Sequence, residues 1–327
     1  MAGLYPLKFK PIFHDKIWGG TRLKTLLNKD IGGSSHCGES WELSGVAGNI
    51  SVVQNGFLKG NDLSELVEIY MGDLVGDKVY EKFGLEFPLL IKFIDAGADL
   101  SIQVHPNDEL ARDRHNAFGK SEMWYVIDAE NGARINTGFN QPVTRNKYVE
   151  YFDTGRLSEL LHFENVKTGD VFFIPAGLVH SIGKGTMVAE IQQTSDITYR
   201  IFDFNRMDSE GNFRELHTDL ALEAIDYSKN ENSRIDYTTE KNKSTEVVSC
   251  KYFTTNILDF NTTIEKDYFS VDSFVIYIVL TGDFIIEMED QKVNVKHGET
   301  ILLPAITNVV HLIPASKEVR LLEVFIK

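Results

Sequence analysis

Three short segments hold the residues best suited to chemistry. In Leu100-Ser-Ile-Gln-Val-His-Pro106, strand alternation puts Ser101, Gln103 and His105 on one face and Leu100, Ile102 and Val104 on the other. An imidazole and an amide two residues apart can be aimed at one metal ion, although the same pattern also suits a solvated strand. Gly119-Lys-Ser-Glu-Met-Trp-Tyr125 sets Lys120 and Glu122 at the same spacing, just before an apolar strand. In Gly169-x5-Pro175-Ala-Gly177-Leu-Val-His180, glycine starts a strand, Pro175 and Gly177 make a turn, and His180 opens the returning strand. Two neutral imidazoles, a carboxylate and an amide oxygen suit a borderline divalent cation. The residual positive charge would stabilise an oxyanion. The absence of thiolates points to a site with open positions.

Cations accompany these segments: Lys92, Lys120 and, downstream, Arg200 in Tyr199-Arg-Ile. An inward-facing arginine on a strand needs an anion, and a substrate phosphate or a developing oxyanion would serve. Trp18-Gly-Gly20 and Glu39-Ser-Trp-Glu42 add aromatic faces and carboxylates, which suit a hydroxyl-rich ligand as well as they suit core packing. Other constellations fail. There is no G-x-S-x-G elbow and no Walker A loop. His14, His36, His115, His162, His217, His297 and His311 have no partner at ligand spacing and read as structural or surface groups.

The elements that must position these groups are mostly strands: short runs rich in Val, Ile, Phe and Tyr, punctuated by Gly, Asn and Asp. Helix–strand alternation is absent, which disfavours a doubly wound parallel sheet. Asp62–Met71 reads as a helix opened by an Asp62-x-x-Glu65 capping box, and Thr218–Tyr227 as a second helix with Thr218 at its N-cap. Residues 228–246 are polar and read as a linker between a first unit over 1–227 and a second over 247–327. Gly169-Asp-Val-Phe-Phe-Ile-Pro175 is echoed 129 positions later by Gly298-Glu-Thr-Ile-Leu-Leu-Pro304, where Val309 takes the place of His180. The repeat predicts two related halves with chemistry in the first only.

The chain has 327 residues, enough for about two domains. With 33 Lys plus Arg against 48 Asp plus Glu, its formal charge of −15 disfavours nucleic acid and anionic membrane partners. An anionic substrate must therefore be met by locally gathered cations. Cys37 and Cys250 stand far apart with no CxxC, which fits a reducing compartment. No secretory leader or membrane span is evident, so a cytoplasmic location is expected.

The G-x5-P-x-G-x2-H segment resembles the second motif of the cupin superfamily, with Lys184 where an asparagine is frequent. A more specific resemblance is to type I mannose-6-phosphate isomerases of the compact bacterial class. It rests on Lys16-Ile-Trp-Gly-Gly20, Glu39-Ser-Trp-Glu42, Leu100–Pro106, Gly119-Lys-Ser-Glu-Met123, Pro175-Ala-Gly-Leu-Val-His180 and the Arg200 segment, in that order. These cover roughly the first two thirds of the chain. The resemblance implies a mainly β fold of two cupin (jelly-roll β-barrel) units with a small helical segment near 62–85. It implies one zinc ion per chain on His105, Glu122 and His180, with Gln103 a weaker ligand. Arg200, Lys120 and Lys92 would be catalytic; Ser101 would lie by the substrate phosphate, and Trp18 and Glu42 would contact the sugar. The implied reaction interconverts mannose 6-phosphate and fructose 6-phosphate through a cis-enediol. A metal-dependent cupin oxygenase and a non-enzymatic sugar-binding cupin are the alternatives, and neither the general base nor the oligomeric state is legible.

Overall fold

In the strand Glu122–Ala129, Glu122 and Trp124 face one way while Met123 and Tyr125 face a large apolar core. That two-residue period, repeated in neighbouring strands, gives one face of the sheet to packing and the other to the site. The fold was obtained as a computed structural model and describes residues 3–207, 210–228, 233–289 and 291–327.

The strands of the first half are β1 (Leu7–Lys8), β2 (Ile12–Gly20), β3 (Cys37–Leu43), β4 (Leu89–Asp95), β5 (Ile102–Val104) and β6 (Glu122–Ala129). They continue with β7 (Arg134–Phe139), β8 (Leu161–Asn165), β9 (Val171–Ile174), β10 (His180–Ile182), β11 (Thr186–Gln193) and β12 (Tyr199–Phe202). After β13 (Arg234–Ile235) come β14 (Lys243–Ser249), β15 (Thr254–Phe260), β16 (Ile264–Asp267), β17 (Val275–Thr281) and β18 (Phe284–Met288). The last are β19 (Gln291–Val295), β20 (Thr300–Leu303), β21 (Val309–Pro314) and β22 (Val319–Phe325).

These form four antiparallel sheets, two to each unit. In the first unit β13-β9-β6-β11-β4-β3-β2 is accompanied by β12-β5-β10-β7-β8. In the second, β1-β20-β17-β22-β15-β14 is accompanied by β16-β21-β18-β19. Aligned on β9 and β20, the strand orders correspond as the repeat predicts, except that β2 and β12 of the first unit have no counterpart in the second, and the architecture is the mainly β, double-cupin one expected. Each unit is an open pair of sheets, not a barrel closed by hydrogen bonds. Gly169 and Gly298 both adopt positive φ, 92° and 78°, so each repeat enters its strand through a turn that favours glycine.

The polar stretch is less of a linker than its composition suggests. Arg234–Ile235 adds a strand to the first large sheet, and β14 begins at Lys243. Residues 229–232 of it lie outside the described residues. At the other end, Leu7 and Lys8 pair with Leu302 and Ile301, so the second large sheet takes its edge strand from the start of the chain.

Six helices are described: α1 (Arg22–Thr25), α2 (Leu63–Val75), α3 (Asp77–Phe83), α4 (Asp108–His115), α5 (Arg145–Asp153) and α6 (Thr218–Ala224). The Asp62–Glu65 capping box is present, but α2 runs on to Val75 across a break at Met71. α6 is shorter than expected: His217 holds the N-cap position, and extended backbone at Ile225 ends the helix. Among the described residues no helix is long and apolar enough to cross a membrane.

Candidate active site

Register brings the site together. On the smaller sheet of the first unit, Arg200, Gln103 and His180 form a cross-strand row: Arg200 opposite Gln103, and Gln103 opposite His180. On the larger sheet a second row runs Trp41, Lys92, Glu190, Trp124. Between the sheets lies a cavity of about 290 Å³, lined by Lys16, Trp18, Glu39, Trp41, Lys92, Ser101, Gln103, Lys120, Glu190, Arg200 and Arg214 among others. That is the low end of the range for small-ligand pockets, ~300–1,000 Å³.

Behind Lys120 and Gln103, His105, Glu122 and His180 converge, each offering one ligand atom, all within 4.8 Å of one another. His105 Nδ1 donates to the Ile197 carbonyl and His180 Nδ1 to the Leu178 carbonyl, both at 2.8 Å. Each ring therefore turns its Nε2 towards Glu122, 3.2 Å from Oε1 for His105 and 3.7 Å from Oε2 for His180. Orienting an imidazole through its other nitrogen is how metal-binding histidines are held. Burial, with Lys120 beside it, pushes His105 down to about 3, and burial also lowers His180, so both rings are neutral donors. Burial alone would raise Glu122, but the Lys120 ammonium beside it outweighs burial and holds the carboxylate ionised. Neither Glu122 oxygen accepts a well-directed hydrogen bond. The Lys120 ammonium nonetheless sits 2.5 Å from Oε1 and 3.2 Å from His105 Nε2. Positive charge is what this pocket selects, and two imidazoles with a carboxylate fit a divalent metal. The Gln103 amide nitrogen lies 3.2 Å from His180 Nε2 while its Oε1 accepts from Ser101 Oγ at 3.4 Å, so the amide must turn over to aim its oxygen at the same centre.

The loops that aim these ligands interlock. Gly177 N–H donates to the His105 carbonyl at 2.9 Å. Gly177 has φ +89°, and a Cβ there would lie 3.1 Å from the Ala224 carbonyl oxygen, which explains the glycine before His180.

Electrostatics divides the cavity carboxylates. Lys92, 3.3 Å from Glu190, lies 4.9 Å over the Trp41 ring. Glu39 accepts from Trp41 Nε1 at 2.9 Å and faces Lys16 at 3.3 Å. Although burial would raise Glu39, Lys92 and Lys16 hold it down to about 2. Burial and the nearby Glu122 push Glu190 the other way, upward, with Lys92 opposing. The cavity thus holds Glu39 as a firm carboxylate, whereas Glu190 is pushed towards its protonated form.

At the cavity mouth, Arg200 Nη1 donates to the Glu215 carbonyl at 2.8 Å, leaving its buried Nε without a partner. His217 clamps the Arg200 backbone through a bond each way, 3.0 Å and 2.8 Å. Asp203 pairs with both Arg206 and Arg214, which sets Arg214 at the rim.

Sequence reasoning placed Trp18, Lys92, Ser101, Gln103, Lys120 and Arg200 at the same cavity that the structure gives them. Glu42 is a correction. It points to the opposite face of β3, where Lys29 Nζ lies 2.6 Å away and Ser40 donates to it. There it borders a different cavity, shared with residues 296–300 of the second unit. The carboxylate that faces the site is Glu39, and the alternation rule applied to Glu39-Ser-Trp-Glu42 selects it. Glu190, Lys16 and Arg214 were also missed.

The match to known proteins is extensive. Residues 6–132 match the catalytic domain of type I phosphomannose isomerase, and residues 243–316 match the cupin domain of mannose-6-phosphate isomerase. The mannose-6-phosphate isomerase ManA of Bacillus subtilis (strain 168) is 38% identical over 308 residues, covering 91% of this chain and 93% of that one. The mannose-6-phosphate isomerase of Streptococcus mutans serotype c is 34% identical over 300 residues, covering 91% and 92%. The crystal structure of a Bacillus subtilis mannose 6-phosphate isomerase aligns with a TM-score of 0.89 at 33% identity, over 98% of this chain and 99% of that one. Identity at this level along almost the whole of both chains, on one shared fold, means that this chain belongs to the type I mannose-6-phosphate isomerase family.

Proposed function

We propose that the chain interconverts D-mannose 6-phosphate and D-fructose 6-phosphate in the first-unit cavity. The observation that carries this is the buried His105–Glu122–His180 group beside a cavity ringed by Lys16, Lys92, Lys120, Arg200 and Arg214, in a chain of net charge −15. An acidic protein that gathers five cations around one small cavity is built to receive an anion there.

The hard step is removing the proton on C2, next to a carbonyl. Its electron pair moves to make C1=C2, and negative charge develops on O1. Protonation then occurs at C1, and the O2 hydrogen passes to O1 as C2 becomes the ketone. A divalent ion on His105, Glu122 and His180, with Gln103 as a further oxygen donor, would polarise the substrate oxygens; zinc suits that donor set. Arg200, Lys120 and Lys92 present positive charge to the same developing oxyanion. Glu190, raised by burial, is the cavity carboxylate suited to take up and return a proton, whereas Glu39 stays ionised and fixes Lys16 and Lys92. Arg214 and Ser101 would hold the phosphate, with Asp203 pre-setting Arg214. The Trp18 and Trp41 faces would line the sugar.

Catalysis would lie in the first unit, which extends beyond residue 227 to take in β13, while β1 and the strands from β14 onwards make the second. A cytoplasmic location accords with two free cysteines. The test is to offer the purified protein mannose and mannose 6-phosphate. Conversion of the phosphate ester with little turnover of mannose is expected. Equal rates on the two would remove the phosphate role from Arg214 and Ser101.

A further inference from the structure

Glu122 is the first residue of β6, paired with Gln192 and Ile174, and the residues just before it, Lys120 included, lie in the loop that feeds the strand. Asn107 caps α4, its side chain accepting from Leu110 N–H, and Asp108 is the first residue of that helix. Asp108 Oδ1 accepts from Gly119 N–H at 3.2 Å and from Gln193 Nε2 at 2.9 Å. Gln193, only 5% exposed, accepts from Ser121 N–H through its Oε1 at 2.9 Å. The other Asp108 oxygen accepts from Tyr252 Oη at 2.8 Å and Lys251 Nζ at 3.0 Å, both on the turn between β14 and β15 of the second unit. A Cβ at Gly119 would stand 2.5 Å from the Asp108 nitrogen, so the close approach of the two segments demands glycine.

One carboxylate thus ties the segment after His105 to the segment that carries Lys120 and Glu122, and the second unit holds that carboxylate from outside. We propose that Asp108 and Gln193 are positioning residues for Glu122 and Lys120, and that Tyr252 orients Asp108. The second unit, which lacks the ligand set, thereby helps to set the metal affinity and turnover of the first. The inference rests on the ligand role given above to His105, Glu122 and His180.

The test compares Tyr252→Phe, Asp108→Asn, Lys251→Ala and His180→Ala in the full chain. Zinc affinity is measured by chelator competition, alongside kcat, KM and Tm. Tyr252→Phe and Asp108→Asn should weaken zinc binding and lower kcat by ~10-fold, with KM little changed, the usual scale for residues that orient a ligand. Lys251 is exposed, and its replacement should change both by less than ~2-fold. Parental zinc affinity and kcat in Tyr252→Phe and Asp108→Asn, with only Tm lowered, would make the relay merely structural and overturn the proposal. An effect of Lys251→Ala as large as that of Tyr252→Phe would overturn the role given to Tyr252. If His180→Ala bound zinc as well as the parent, the ligand reading itself would fail and this inference with it.

Discussion

Laid over one another by register, the two units show how one chassis serves two ends. Glu122 pairs with Ile174 in the first, and Val275 pairs with Leu303 in the second, so Val275 holds the place of Glu122. In the same way Val309 replaces His180, Asp267 replaces Gln103 and Asn256 replaces Lys92. One charged position survives: Glu190 lies opposite Trp124, and Glu323 lies opposite Tyr277. Their surroundings differ. Glu323 is saturated by Lys266 at 2.7 Å, Asn256 at 2.8 Å, Ser244 at 2.9 Å and a bond from Tyr268, which also bonds Tyr277. The second unit fills its centre with a closed polar network. The first leaves Glu122, Glu190 Oε2 and Arg200 Nε without hydrogen-bond partners around a cavity. Buried polar groups left incomplete cost stability and are kept where something else completes them.

The comparison can be broken from either side, and the largest effect falls on the ligands. Glu122→Gln should lose bound metal and reduce kcat by ~10³-fold or more, because charge stabilisation at the oxyanion goes with it. Full activity in a metal-free Glu122→Gln protein would empty the site of its role. Arg200→Met should lower kcat by ~10²–10³-fold, the scale for removing one donor to a developing oxyanion, while metal content by atomic absorption stays at the parental level. Loss of metal in proportion to turnover would reduce Arg200 to a structural residue.

In the second unit the same kind of change should act on stability alone. Lys266→Met leaves the Glu323 carboxylate buried without a countercharge and should cost about 3–5 kcal/mol in urea unfolding, with kcat of the folded protein unchanged. A fall in kcat at full folding would show that the network does more than fill space. The smallest effect concerns Glu39. Its folded-state value, about 2, lies below the usual 4.5, so its stabilising contribution is fully present above pH 4.5 and fades as pH falls towards 2. Glu39→Gln should therefore cost roughly 2–3 kcal/mol near pH 7, with the difference from the parent shrinking below pH 4.5. A pH-independent difference would mean that shape, not charge, is what Glu39 supplies.

What could be read from the sequence follows the range of the physics involved. The ligand segments are local: each is a short strand or turn whose alternation fixes which side chains share a face, and the structure gathers His105, Glu122 and His180 as that spacing suggests. The repeat of Gly169–Pro175 in Gly298–Pro304 gave the two units before any strand pairing was known. Glu42 was misplaced because the same alternation was not carried along β3, where Glu39 and Trp41 share the cavity face. Glu190 sits in Thr186–Gln193 with no flanking motif, and its partner Lys92 is distant in sequence; only the β4–β11 register joins them. Arg214 comes from a loop set by Asp203, and β1 joins a sheet nearly 300 residues away in the chain. Pairings of that range leave no local trace. α6 ended early because its last turn gave way to extended backbone at Ile225, a tertiary choice that propensity does not encode.

The account stands most directly on metal-dependent turnover in the first unit. The measurement is conversion of mannose 6-phosphate to fructose 6-phosphate by the purified protein, before chelation, after it, and after zinc is returned. Activity abolished by the chelator and restored by zinc is the predicted result. Undiminished conversion by the chelated, metal-free protein, or none by the folded, zinc-loaded one, would contradict it.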